Sequence, residues 1–249
     1  MYIEIDKQNI YYQKHGKGSD LIMLHGWKND VSSFWEVTNL LKDQFTIWLI
    51  DLPGFGRSDI PKKAFSVSDY SNIIKEFIEK LEIEKPTLLG HSVGGRIALK
   101  LASQNPQILD KLILEDSAGI RPKRDIPKFI FYGVSKILKY LIPNFFNLRE
   151  KIRISFYKTL ESDYLAVGEL KRTFTKILNE DLTPDLSKIK TETLLIWGEE
   201  DLNLESSLKN GKKMYQLIEN SKIVIFEDVG HFPHLENPER FVYYVKDFV

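Results

Sequence analysis

Gly90-His91-Ser92-Val93-Gly94 is the stretch on which the fold turns. It follows a short apolar run, Pro86-Thr87-Leu88-Leu89, and opens a helix-like run from Val93 to Ser103. A serine with glycines two positions before and two after it fits a sharp turn between a strand and a helix. The small flanking residues relieve crowding where the backbone is forced into a strained conformation. Such a turn holds the Ser92 hydroxyl clear of the chain at a helix N-terminus. A hydroxyl so placed attacks a carbonyl once a base sits beside it.

Outward from this turn, short β-like runs alternate with helix-like segments. Tyr2–Ile5 and Ile10–Lys14 read as a hairpin with its turn in Asp6–Asn9. Leu21–Leu24 and Thr46–Ile50 suit buried parallel strands, with a helix over Ser33–Leu41 between them. Val67–Leu81 is amphipathic: Tyr70, Ile73, Ile74, Phe77, Ile78 and Leu81 share a face, and Ser66 or Ser68 is placed to cap it. Thr87–Leu89, the helix after Ser92, and Lys111–Leu114 continue the series. It resumes with Thr193–Trp197, a helix over Glu205–Leu217, a strand Lys222–Phe226 and a helix near Pro238–Phe248. This order predicts an α/β fold with a mostly parallel central sheet and helices on both faces.

The alternation lapses between about Gly119 and Lys190. There the chain carries aromatic helix-like stretches, Phe129–Tyr132, Tyr140–Phe146 and Ile152–Leu160, punctuated by Pro122, Pro127, Pro143 and Pro184. The expected organisation is a core of residues 1–118 and 191–249, with residues 119–190 inserted as a helical lid. Residues 121–190 hold 15 Lys/Arg against 8 Asp/Glu, while the remainder holds 20 against 27. A basic lid over an acidic body fits anionic substrates or a membrane surface, but attraction between lid and body accounts for the same asymmetry.

With 249 residues the chain can form one large domain with an insertion. Zero formal net charge gives no sign of nucleic acid. The lack of cysteine excludes disulfides, thiolate catalysis and Cys-based zinc sites. The opening Met1-Tyr2-Ile3-Glu4-Ile5-Asp6 is not a secretory signal, and no run approaches the roughly 18 apolar residues of a membrane span. A cytoplasmic protein is expected, monomer or homodimer.

A serine nucleophile requires a base, an orienting acid and oxyanion donors. Of the five histidines, His231 is the best base. In Asp228-Val229-Gly230-His231-Phe232-Pro233 it follows the last predicted strand and begins a loop. His234 competes with it, though a role lining a pocket or surface suits it better. The best acid is Asp201, in Trp197-Gly198-Glu199-Glu200-Asp201, just past the penultimate strand. Glu199 and Glu200 serve if the register slips, and Asp116, after Lys111–Leu114, is an acid from another strand end. Backbone N–H groups of Val93 and Trp27 are the candidate oxyanion donors. His25 anchors the loop that carries Trp27. Candidate substrate-binding residues are His91, Phe232, Phe131 and Tyr132, with the His91 ring directed away from Ser92. The histidine and acid positions do not spell a metal site, and no cofactor is expected.

With these residues in place, the chain resembles the α/β-hydrolase superfamily along nearly all of its length. The resemblance rests on His25-Gly26-Trp27, Asp51-Leu52-Pro53-Gly54-Phe55-Gly56-Arg57-Ser58, the turn at Ser92, Gly198-Glu199-Glu200-Asp201 and Gly230-His231, in the family's order. It implies a serine hydrolase with a helical cap, acting on a small-molecule ester or related acyl compound. Meta-cleavage-type carbon–carbon hydrolysis and acyl transfer or perhydrolysis are the rival reactions, and a non-catalytic ligand-binding protein the rival class. Asp51–Ser58 resembles the loop after the family's fourth core strand, with Gly54 and Gly56 making its turn and Arg57 pairing with Asp51. Relatives with an aspartate nucleophile, the dehalogenases and epoxide hydrolases, are disfavoured by Ser92. After Asp201, relatives often carry an apolar pair and a proline where this chain has Leu202-Asn203-Leu204-Glu205.

Overall fold

The computed structural model describes residues 1–121, 170–203 and 206–249. The chain divides into two compact units, Met1–Arg121 with Arg172–Val249, and Pro122–Lys171. The three aromatic stretches of the expected lid lie outside the described residues.

The hairpin expected at the start of the chain is formed by β1 (Tyr2–Ile5) and β2 (Gln8–Gly16), turning through Asp6 and Lys7, both at positive φ. β2 starts earlier and runs further than its apolar run. Beyond that run its polar residues Gln13, Lys14 and His15 pair with β4 (Phe45–Ile50). β3 (Ser19–Leu24), β5 (Thr87–His91), β6 (Lys111–Glu115), β7 (Glu192–Gly198) and β8 (Ser221–Phe226) complete an eight-stranded sheet. Its order is β1-β2-β4-β3-β5-β6-β7-β8. Among the described residues only the β1–β2 and β2–β4 pairings are antiparallel. Leu21, Ile22, Leu24, Leu88, Leu89, Leu112, Ile113 and Leu114 are wholly inaccessible, as expected for central parallel strands covered on both faces.

From β3 the chain moves to one side to form β4, then crosses to the other side to form β5. The switch point therefore lies between β3 and β5, and loops leaving the carboxyl ends of those strands border a crevice. Register aligns these ends: Leu24 pairs with Gly90, His91 with Glu115, Glu115 with Ile196, and Gly198 with Phe226.

Helix α1 (Trp35–Leu41) follows a 3-10 turn, Val31–Phe34, where a single helix from Ser33 was expected. The break arises because Asp30 caps the tighter turn by accepting from the Ser32 N–H. Helix α2 (Val67–Lys80) buries Tyr70, Ile73, Ile74, Phe77 and Ile78. Of the two candidate caps it uses Ser66, in a reciprocal box with Asp69. Ser66→Ala is expected to lower unfolding free energy by about 1 kcal/mol, read from urea melts. An unchanged midpoint would mean that the box contributes nothing.

Helix α3 (Val93–Gln104) leaves the turn at Ser92, α4 (Lys171–Asn179) and α5 (Thr183–Leu186) precede β7, and α6 (Leu208–Leu217) precedes β8. The short α7 (Pro233–Glu236) and α8 (Pro238–Phe248) end the chain. No helix among the described residues is long and apolar enough to cross a membrane.

Candidate active site

Ser92 sits at φ 52°, ψ −112°, a left-handed conformation that costs a residue with a Cβ strain. Three backbone hydrogen bonds hold it there. Its N–H donates to the Glu115 carbonyl at 3.0 Å, and its carbonyl accepts from Arg96 at 3.1 Å and Ala118 at 3.0 Å. The Ser92 side chain makes no capping bond to α3, which leaves the hydroxyl available for other work.

The loop after β3 passes directly over this turn. A methyl group added at Gly26 would lie 3.3 Å from Ser92 Cβ and 2.9 Å from His91 Nδ1. His25 anchors that loop as expected. Its Nδ1 is 2.7 Å from the Gly26 carbonyl and its Nε2 is 3.0 Å from the Leu52 N–H. Burial lowers the His25 pKa, against the opposing Gly26 bond, so the ring is neutral, with Nδ1–H the donor and Nε2 the acceptor. The Trp27 ring packs edge-on against Phe55 and, tilted, against Phe174 of α4, each with centroids 4.7 Å apart. Trp27 thus follows the residue that packs on Ser92, and Val93 follows Ser92 as the first residue of α3.

Beyond β7 and β8 the structure brings Asp201 and His231 together. His231 Nδ1 lies 3.0 Å from Asp201 Oδ2. Ser206 Oγ donates to that same oxygen at 2.6 Å and lies 3.2 Å from His231 Nδ1. The Asn203 N–H donates to Asp201 Oδ1 at 2.9 Å. Burial raises the Asp201 pKa, but the bond and charge of His231 and the bonds from Ser206 and Asn203 outweigh it and hold the carboxylate ionised. Ser206 is a site residue that sequence reasoning missed, because one serine in a polar run carries no periodic signal. The loop at His231 is braced from behind: Glu236 accepts from the Gly230 N–H at 2.8 Å and the Phe232 N–H at 3.0 Å.

Three placements differ from expectation. His91 is wholly buried, with Nε2 2.8 Å from the His231 carbonyl. Burial, then the proximity of His231 and His234, lowers its pKa well below the usual range. A neutral ring donates through Nε2 to the His231 carbonyl and so braces the His231 loop. His234 lines neither pocket nor surface. It is inaccessible, and its Nδ1 and backbone N–H each lie 2.7 Å from Glu115 Oε1. Asp51 is held by backbone N–H groups of Val31 at 2.7 Å and Arg57 at 2.8 Å, while the Arg57 guanidinium goes to the Tyr11 hydroxyl at 3.0 Å. Gly54 and Gly56 do take positive φ in that loop. Phe232 stacks on His91 with centroids 5.0 Å apart. Phe131 and Tyr132 lie outside the described residues.

Among the described residues, two groups of side chains bring possible metal-ligating atoms within 4.8 Å of one another: His91, Glu115 and His234, and Asp116, Asp201 and His231. A hydrogen bond joins two of the three members in each group, His234 with Glu115 and His231 with Asp201.

Asp116 is inaccessible, at positive φ just past β6, and the Gly198 N–H points at both its oxygens, at 3.2 and 3.3 Å. Burial, then the charges of Asp201 and Glu115, push its pKa up to about 10, against the Gly198 N–H. The folded chain therefore keeps a proton on Asp116 that an unfolded chain releases from 3.8 upward. Stability falls as pH rises through that window. Asp116→Asn removes this dependence. Its melting temperature relative to the parent is expected to climb between pH 5 and pH 9, by about 2–4 °C for each kcal/mol relieved. A difference that stays constant across those pH values would show that Asp116 is not held neutral.

A family model of the alpha/beta hydrolase fold matches residues 21–167, more than half of the chain. The chain belongs to the alpha/beta hydrolase family. This hydrolase is similar to the uncharacterized hydrolase YugF of Bacillus subtilis, 29% identical over 98% of this chain and 96% of the relative. It is similar to 2-hydroxy-6-oxononadienedioate/2-hydroxy-6-oxononatrienedioate hydrolase 1 of Pseudomonas putida, 30% identical over 97% of this chain and 92% of the relative. Among solved structures it resembles the esterase EaEST from Exiguobacterium antarcticum, with a TM-score of 0.78 and 25% identity, covering 99% of this chain and 98% of that one.

Proposed function

We propose that this hydrolase cleaves a carboxylic ester or related acyl compound through an acyl-enzyme on Ser92. The observation that carries this reading is the 3.0 Å approach of His231 Nδ1 to Asp201 Oδ2 on neighbouring strand-end loops. With Nδ1–H donated to Asp201, the imidazole is left with Nε2 as its basic atom. His231 takes the Ser92 proton as the hydroxyl oxygen attacks the carbonyl carbon. The backbone N–H groups of Val93 and Trp27 donate to the oxyanion, the former at the N-terminus of α3. His231 returns the proton to the leaving alcohol, then activates water to release the acid. Asp201 keeps the useful tautomer and stabilises the imidazolium.

A second reading, carbon–carbon bond hydrolysis with the same residues, is favoured by the Pseudomonas putida relative, whose name is that of an oxo-dienedioate hydrolase. The deciding experiment measures release of p-nitrophenol from an acetate-to-decanoate series beside fission of a chromogenic dienoate, with Ser92→Ala as control. Serine-dependent turnover of esters alone supports the first reading. Fission of the dienoate well above any ester rate moves the assignment to the second. A folded protein that turns over neither sinks both.

A further inference from the structure

The carboxyl of Asp116 is buried at the end of β6 in a place where a simple structural role explains little. An asparagine would satisfy the Gly198 N–H equally well, without burying an acid beside another acid. Yet Asp116, Asp201 and His231 bring ligating atoms within 4.8 Å of one another, so the two carboxyls stand side by side in a buried place. The backbone at Asp116 is held at φ 36°, a strained value, with its N–H donating to the Ile196 carbonyl at 3.0 Å. β6 and β7 thus each deliver a carboxyl to the same point, below the imidazole delivered by the loop after β8.

Hydrogen-bond capacity says what the pair is doing. A carboxylate offers about four acceptor positions. The Asn203 N–H, Ser206 O–H and His231 Nδ1–H take three of those on Asp201. The fourth faces the neighbouring Asp116, and two carboxyls can bond there only when one of them carries a proton. Two bare carboxylates at this separation repel, so the pair holds one proton and one negative charge.

Resting on the serine-hydrolase reading above, we infer that Asp116 and Asp201 act as one acid: Asp201 is the ionised member facing His231, and Asp116 is a positioning residue that donates its proton to Asp201 and can replace it. The groups that set this balance are Glu115 on the same strand, Asp201 after β7, His231 after β8 and the Gly198 N–H. If Asp201 becomes neutral, the like charge that keeps Asp116 protonated is gone. Asp116 then releases its proton to solvent, and its carboxylate accepts the His231 Nδ1–H.

The test compares Asp201→Asn, Asp116→Asn and the double variant. It measures the rate at which a fluorophosphonate labels Ser92, which needs no knowledge of the natural substrate, across pH 4.5 to 9. Asp116→Asn keeps a donor toward Asp201 and is expected to slow labelling less than about tenfold. Loss of a triad acid ordinarily costs about 10⁴-fold. Here Asp201→Asn is expected to lose no more than about 10²-fold, and the double variant about 10⁴-fold. The acid limb of Asp201→Asn steepens from one proton to two, because Asp116 must now ionise as well, and Asp116→Asn abolishes the second step. Asp201→Asn as slow as the double variant, with a one-proton limb, overturns the proposal. So does an Asp116→Asn defect larger than that of Asp201→Asn. Failure of the underlying reading looks different: the folded parent does not label, or His231→Ala labels at the parent rate.

Discussion

Ser92→Ala is expected to lower kcat/KM for the best ester in the series by about 10⁴- to 10⁶-fold, with a melting temperature within a few degrees of the parent. The two halves of this expectation have separate causes. The bonds that fix the turn are made by backbone groups of Ser92, with Glu115, Arg96 and Ala118, and alanine keeps all three. The side chain caps nothing in α3, so its loss leaves no helix N–H newly orphaned. On the proposed mechanism, what disappears is the oxygen that would bond to the acyl carbon. Residual rate would then come from the oxyanion donors and substrate positioning. His231→Ala is expected to lose a comparable factor, and the two changes together little more than either alone, because base and nucleophile act as a unit. Steady-state kinetics on the three variants checks this. Losses that multiply would mean that Ser92 and His231 contribute to separate steps.

The sequence makes the sheet legible because a central parallel strand is written as a continuous apolar run, and Leu21–Leu24, Thr87–Leu89 and Thr193–Trp197 are such runs. Positions past strand ends follow from the same pattern, which is how Asp201 and His231 stand out before their 3.0 Å contact is known. Patterns fail where burial is achieved by pairing. His234 lies in a short polar-looking segment, and its partner Glu115 is distant in sequence, so only the sheet register reveals that each buries the other. The Asp116–Asp201 relation is hidden for a similar reason. Each residue alone reads as a strand-end acid, and the two compete as alternatives until the fold brings their carboxyl atoms within 4.8 Å. The outer half of β2 is polar because it pairs near the sheet's edge, where apolar alternation is not required.

Gly94→Ala is expected to destabilise the fold by about 2–3 kcal/mol and to lower ester turnover by about 10²-fold. A Cβ at this position would stand 2.2 Å from the Leu24 carbonyl oxygen, 2.7 Å from its carbon and 2.8 Å from the His25 oxygen. All three are backbone atoms at the end of β3, so no rotamer change makes room. Helix α3 must move away from β3 instead. That movement separates the two loops on which the site depends, since α3 begins beside Ser92 and β3 leads into Gly26 and Trp27. A displacement of about 1 Å there is enough to cost the activity, because hydrogen-bond donors to an oxyanion act only over a narrow range of distance. Gly119→Ala is the matched control. Its new Cβ would meet only Leu99 Cδ1 at 2.9 Å and Met214 Cε at 3.0 Å, the far ends of flexible side chains. It should cost under about 1 kcal/mol. Urea melts and ester kinetics on both variants test the comparison, and equal behaviour of the two would mean that the β3–α3 approach does not hold the site together.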